Sequence, residues 1–153
     1  MRPQIFLSDE IMTQRFGANP QNYADYGLNG HEGADYKPKD FTWGVHAAEG
    51  GTVVKDDDAD RGPGDPYGIQ VRILSPAGRL TVYAHLSENI VYLGQKVKAG
   101  DFIGVMGNTG SSSGPHIHFG CAYQDRNGQR LNADNGFGGL VDPEKETWPI
   151  WRV

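Results

Sequence analysis

The sequence predicts a mainly β protein, built on an antiparallel sheet of short strands with long loops and little helix. Three observations lead there. Five short β-prone runs follow one another from residue 51 onward, the turns between them carry Gly, Pro, Asn or Asp, and helical periodicity is scarce. The 22 glycines and 9 prolines among 153 residues fit the same reading, because both interrupt long helices and serve tight turns.

The runs are Thr52 to Lys55, Ile69 to Leu74, Leu80 to His85, Phe102 to Met106 and His116 to Ala122, rich in the β-branched and aromatic residues that suit a pleated surface. Ser75-Pro-Ala-Gly78 is a short turn that joins the second and third as an antiparallel hairpin. Helix is expected only around Ser8 to Arg15 and Pro143 to Thr147. Residues 1 to 30 carry turns at Gly17-Ala-Asn-Pro20 and Gly27-Leu-Asn-Gly30 and read as an ordered lead-in that wraps a core at 31 to 143. A chain of this length buries one substantial core, so residues 1 to 153 are expected to form one domain.

Composition narrows the function. A formal net charge of -5, with scattered lysines and arginines, argues against a nucleic-acid partner. No stretch approaches transmembrane length, so membrane insertion is not expected. The acidic pair Asp9-Glu10 falls where a signal peptide needs a continuous apolar region, so work outside the cytoplasm would require release by another agent, or a longer exported precursor. Cys121 is the single cysteine and cannot form an internal disulfide; by strand parity with Ile117 and Phe119 it is expected buried and inert.

The histidines carry the chemistry. Three of five fall in two clusters, His31-Glu-Gly-Ala-Asp35 and Ser113-Gly-Pro-His116-Ile-His118, and His85 lies between them in Val82-Tyr-Ala-His-Leu86. Neutral imidazole and carboxylate are good zinc ligands, and imidazole also moves protons near neutral pH. The spacing of two puts His116 and His118 on one face of a strand, with Ile117 and Phe119 on the other. Their separation along an extended strand suits one as a ligand and its neighbour as a substrate-facing group. His31, Asp35 and one histidine of that pair would supply three protein ligands, with Gly33 allowing the backbone to bend between the first two. A catalytic zinc keeps three protein ligands and an open position for water. In the run Leu80 to His85, alternation places Thr81, Tyr83 and His85 on the open face and Leu80, Val82 and Ala84 on the buried one, so His85, like His116, could move a proton or stabilise an oxyanion.

These motifs carry a resemblance. His-x-Gly-x-Asp at 31 to 35, Tyr-Ala-His-Leu at 83 to 86 and Gly-x-Thr-Gly-x-x-x-Gly-Pro-His-x-His-Phe at 107 to 119 resemble the lysostaphin/LytM-type zinc endopeptidases of peptidoglycan, the M23 family. The similarity runs from about residue 12 to 143 and includes Gln14-Arg-Phe-Gly17 and the stretch Gly94 to Gly104. It implies a lysostaphin-like sheet of the duplicated hybrid motif type. It also implies one zinc per chain held by His31, Asp35 and His118, with His85 and His116 as the catalytic pair; Tyr83 is a candidate substrate contact on a separate ground, since alternation puts it on the His85 face. The implied activity is hydrolysis of peptide bonds in stem peptides or cross-bridges of bacterial peptidoglycan, by a monomer acting on the cell wall. The lead-in and the ending Asn135 to Asp142 look most like phage-type members, delivered with the virion or released through a holin.

Other features read as structural. His46 belongs to no motif and is expected in the surface or core. Asp56-Asp-Asp-Ala-Asp60 starts like a calcium loop, but Arg61 stands where that loop needs glycine and Tyr67 where it needs glutamate, so it reads as a solvated acidic loop. Gly107 to Gly114 lacks the Lys-Ser/Thr of a phosphate loop and is expected to shape the cleft wall. Tyr92, Trp43, Trp148 and Trp151 are expected to pack in the core or at edges. Two alternatives stand beside the enzyme: a non-catalytic wall-binding or scaffold module on the same fold, and a histidine phosphocarrier suggested by Val97 to Gly104. The full set of five residues disfavours both.

Overall fold

The computed structural model describes residues 1 to 152. Among the described residues nine strands form one antiparallel sheet: β1 (Glu10–Gln14), β2 (Ala34–Pro38), β3 (Gly44–His46), β4 (Gly51–Asp57), β5 (Ile69–Leu74), β6 (Arg79–Asn89), β7 (Lys96–Val97), β8 (Phe102–Met106) and β9 (Ile117–Tyr123). Their order is β1-β2-β9-β6-β5-β4-β7, while β8 pairs with the far end of β6 and with β3. All five expected runs are strands. The hairpin between β5 and β6 closes as expected, with Gly78 at φ 89° and its N–H donating to the Ser75 carbonyl.

Ser8 to Arg15 was expected to be helical and is instead the edge strand β1. Ile11, Met12 and Thr13 favour extended backbone, and pairing with β2 satisfies amides that a lone helical turn would leave open. At the other end, Pro143–Lys145 forms a single 3₁₀ turn, capped by Asp142, whose side chain accepts from the Glu144 N–H. Strands β3 and β7 are too short to announce themselves as periodic runs, and β2, Ala-Asp-Tyr-Lys-Pro, lacks the β-branched residues that would mark one.

The core lies between the sheet and the chain ends. Tyr36, Tyr83, Ile103, Ile117 and Phe119 are fully buried, and Ile5, Phe6 and Trp148 join the same cluster. The lead-in therefore supplies core side chains of its own, Ile5 and Phe6. Trp148 stacks edge-on against Phe119 and lies under the Arg79 guanidinium, 3.8 Å from its ring centre, while Glu49 accepts from Arg79 Nε at 2.8 Å. Among the described residues no helix is long and apolar enough to cross a membrane.

Candidate metal centre and catalytic cleft

Strand pairing brings the separated motifs together. Asp35 on β2 lies directly opposite His118 on β9, and Ala84 on β6 lies opposite His118 on the other side. His31 sits four residues before Asp35, just ahead of β2. Gly33 between them earns its place by close approach: a Cβ there would meet the Phe119 carbonyl oxygen at 2.5 Å and the His118 ring at 2.8 Å. The bend expected from this glycine is thus secondary to the space it leaves for His118.

His31 Nε2, Asp35 Oδ1 and His118 Nδ1 form a nearly equilateral triangle, with sides of 3.0, 3.1 and 3.2 Å. All three residues are buried. The tautomers follow from the far side of each ring. His31 Nδ1 lies 3.1 Å from the Arg15 carbonyl oxygen, which only accepts, so Nδ1 carries the proton and Nε2 turns a lone pair inward. If His118 is likewise protonated on Nε2, three lone pairs converge with no hydrogen between them, an arrangement that calls for a cation. The donor atoms suit zinc: their spacing is close to the roughly 3.3 Å edge of a tetrahedron with metal–ligand bonds of about 2.0 to 2.1 Å. Burial disfavours the Asp35 carboxylate, but in the metal-free protein a proton on the facing nitrogen of His118 or His31 supplies a hydrogen bond and charge that outweigh burial and hold the Asp35 pKa well below the usual range.

His85 and His116 stand beside the triangle, with ring centres 4.8 Å apart. Each has its Nδ1 2.7 Å from a backbone carbonyl, Thr109 for His85 and Gly114 for His116, so both Nε2 atoms are left as acceptors. His116 Nε2 lies 3.5 Å from Asp35 Oδ2. Burial, with the neighbouring His118 and His116, pulls the His85 pKa down to about 4 against the carbonyl that favours its proton.

The expected face of Tyr83 is corrected by the backbone. Between the pairs Ile69↔Leu86 and Val71↔Tyr83, strand β6 holds one residue more than β5, and His85 takes φ 62°, a left-handed conformation rare outside glycine. This bulge interrupts alternation. Tyr83 falls in the core, fully buried, with its hydroxyl accepting from the Ala48 N–H at 2.9 Å, whereas His85 turns to the cleft. Tyr83 is therefore no part of the cleft surface.

The cleft has a volume of about 670 Å³, within the range of ligand sites. His31, Asp35, His85, His116 and His118 line it together with Gln14, Tyr23, Tyr26, Glu32, Tyr67 and the serines 111 to 113. The wall from Gly107 to Gly114 is held by the preceding loop: Asp60 accepts from the Gly110 N–H, the Ser111 N–H donates to the Asp65 carbonyl, and Gly110 packs so closely on Gly68 that neither admits a Cβ. Tyr92, Trp43, Trp148 and Trp151 do not line the cleft. His46 is half-buried, stacked on Phe102 and Trp151. Cys121 is fully buried, and burial lifts its thiol to about 12. The residues that sequence reasoning missed are Glu32, Tyr67 and Tyr23. Glu32 sat inside the first motif, but nothing in its spacing marked it. Tyr67 comes from a loop without periodicity.

Two imidazoles and a carboxylate converge on an antiparallel sheet at the foot of an open cleft, a donor set able to hold a metal ion. The chain belongs to peptidase family M23, which matches residues 29–133. The catalytic domain of the antimicrobial peptidase lysostaphin from Staphylococcus simulans shares the fold with a TM-score of 0.64 and 26% identity, over 90% of each chain. The catalytic domain of the prophage-encoded M23 protein EnpA from Enterococcus faecalis gives 0.62 at 30% identity, over 87% of this chain and 95% of that one. In sequence, the peptidoglycan DD-endopeptidase ShyA of Vibrio cholerae is 40% identical over 67 residues, 44% of this chain and 15% of ShyA. The curated relatives are much longer proteins, of which this chain matches 8%, 14% and 15% in three cases.

Proposed function

We propose that the protein is a zinc-dependent endopeptidase that cleaves peptide bonds in bacterial peptidoglycan. The observation that carries this reading is the triangle of His31, Asp35 and His118 donors beside two imidazoles whose Nε2 atoms are free. Membership of a peptidase family and similarity to a peptidoglycan DD-endopeptidase support the substrate class. Similarity to a prophage-encoded member supports a phage origin, with action on the host wall. The complete residue set disfavours a non-catalytic wall-binding module.

Zinc bound by the three donors would supply Lewis acidity, acidifying water and polarising a peptide carbonyl. The chain's own groups then divide the proton work. His85, neutral down to about pH 4, accepts a hydrogen bond from the attacking water through Nε2 without retaining its proton. A proton taken by His116 Nε2 has the Asp35 carboxylate 3.5 Å away as a counter-charge, which fits His116 to carry it to the departing amine. The charged His116 can also donate to the developing oxyanion.

The test is His118→Ala, read by zinc content and by release of new amino groups from purified cell walls. Wild type is expected to hold one zinc per chain and the variant none, with hydrolysis lowered at least about 10²-fold, on the scale of losing a principal stabiliser of transition-state charge. Full zinc and full hydrolysis in the variant would sink this ligand assignment. Mass spectrometry of the released fragments identifies the bond.

A further inference from the structure

Two buried polar atoms beside the cleft lack hydrogen-bond partners, and they belong to neighbours. His118 Nε2 is unpartnered and lies 3.5 Å from Glu32 Oε1; Glu32 Oε2 is unpartnered as well. Glu32 is 8% exposed and His118 4%. Neither unpartnered atom is exposed to bulk solvent. Glu32 is not adrift: the Tyr67 hydroxyl donates to Oε1 at 3.2 Å, and the Tyr67 ring packs against the His118 ring at 5.5 Å. The 3.5 Å gap is about half an ångström longer than an ordinary N–H···O bond.

A buried acceptor set opposite a ring nitrogen decides which nitrogen holds the hydrogen. With hydrogen on Nε2, His118 points N–H at Glu32 and turns the Nδ1 lone pair toward His31 and Asp35. With hydrogen on Nδ1, a lone pair would face the Glu32 carboxyl, two acceptors in contact in a dry setting, and the triangle would lose its third donor.

We propose that Glu32 is a positioning residue, held by Tyr67, that fixes His118 as the Nε2–H tautomer and so presents Nδ1 to the metal. The proposal rests on the zinc reading above. It makes Glu32 for His118 what the Arg15 carbonyl is for His31: an outer partner that sets ring orientation and raises ligand strength.

Three proteins test it: wild type, Glu32→Leu, which keeps the bulk and removes the acceptor, and Glu32→Gln, whose amide oxygen can still accept. Zinc affinity is measured by chelator competition, the ligand field by the visible spectrum of the cobalt-loaded form, and folding by the melting temperature without metal. Glu32→Leu is expected to bind zinc ten- to hundredfold more weakly, the usual cost of losing such a partner, with an altered cobalt spectrum and an unchanged metal-free melting temperature. Glu32→Gln is expected to stay within about threefold of wild type, the margin that retaining an acceptor allows. Wild-type affinity and spectrum in Glu32→Leu would overturn the proposal.

Imidazole nitrogen shifts of the metal-free wild type add a reading that no variant's folding can spoil: His118 should be the Nε2–H tautomer, and an Nδ1–H population would overturn the assignment. A wild type that folds but takes up no zinc would defeat the zinc reading, whereas one that binds zinc no better than Glu32→Leu defeats only the role of Glu32.

Discussion

Two buried glutamates, similarly hidden, do opposite things. Glu10 is 7% exposed and Glu32 8%. Glu10 is met on every side: the Ile5 and Phe6 N–H groups donate to it at 2.9 and 3.0 Å, and Arg152 reaches both carboxyl oxygens at 2.9 and 3.2 Å. That network ties the chain's end to its beginning across β1. Glu32 has one phenol at 3.2 Å and an oxygen with no partner, and it stands beside a cleft where the donor atoms of His31, Asp35 and His118 converge. The contrast teaches how to read buried polar groups. Where all partners are present, the group holds the fold together; where partners are missing beside a cleft, the group is a candidate for work at the site.

The largest expected effect lies on the cleft side. Replacing His116 or His85 with Ala should lower wall hydrolysis by about 10² to 10⁴-fold, the range of a lost acid/base group, while zinc content stays at one per chain. A variant that kept more than a tenth of wild-type turnover would show that its imidazole is dispensable. On the other side, Glu10→Ala strips two amides and a guanidinium of their acceptor. Urea titration should register a loss of about 3 kcal/mol, with hydrolysis per folded molecule unchanged.

Acid should separate the regions further. His85 has a folded pKa near 4 against an unfolded value near 6.5, so between those limits the unfolded chain binds more protons. Stability is therefore intact above pH 6.5 and falls as pH drops toward 4. The metal-free wild type should lose stability across this window relative to His85→Gln; parallel curves would refute the shift.

Tyr83→Phe removes the hydroxyl that accepts from Ala48 and should cost about 1 kcal/mol in thermal or urea unfolding without changing KM. A raised KM would return Tyr83 to the substrate face. Smallest of all, Cys121, with its thiol raised to about 12, should resist iodoacetamide at pH 8 in the native protein and react only on unfolding.

By itself the sequence determined the strand-rich class, the β5–β6 hairpin and the candidate set His31, Asp35, His85, His116 and His118 that the fold gathers in one cleft, because these are marked by side-chain type and short motifs. His31 and Asp35 are four apart and His116 and His118 two apart, distances over which local backbone geometry is predictable. Alternation failed at Tyr83 because one added residue in β6 inverts the faces beyond it, and that residue can be recognised only against its partner strand. Ser8 to Arg15 misled for a related reason: a five-residue edge strand owes its form to β2, 20 or more residues away, and not to its own propensity. Glu32 and Tyr67 were invisible because their meaning is a distance across loops. What only the tertiary structure decided is which buried polar atoms are satisfied and which are left open, since that accounting sums over segments that are neighbours in space and strangers in sequence.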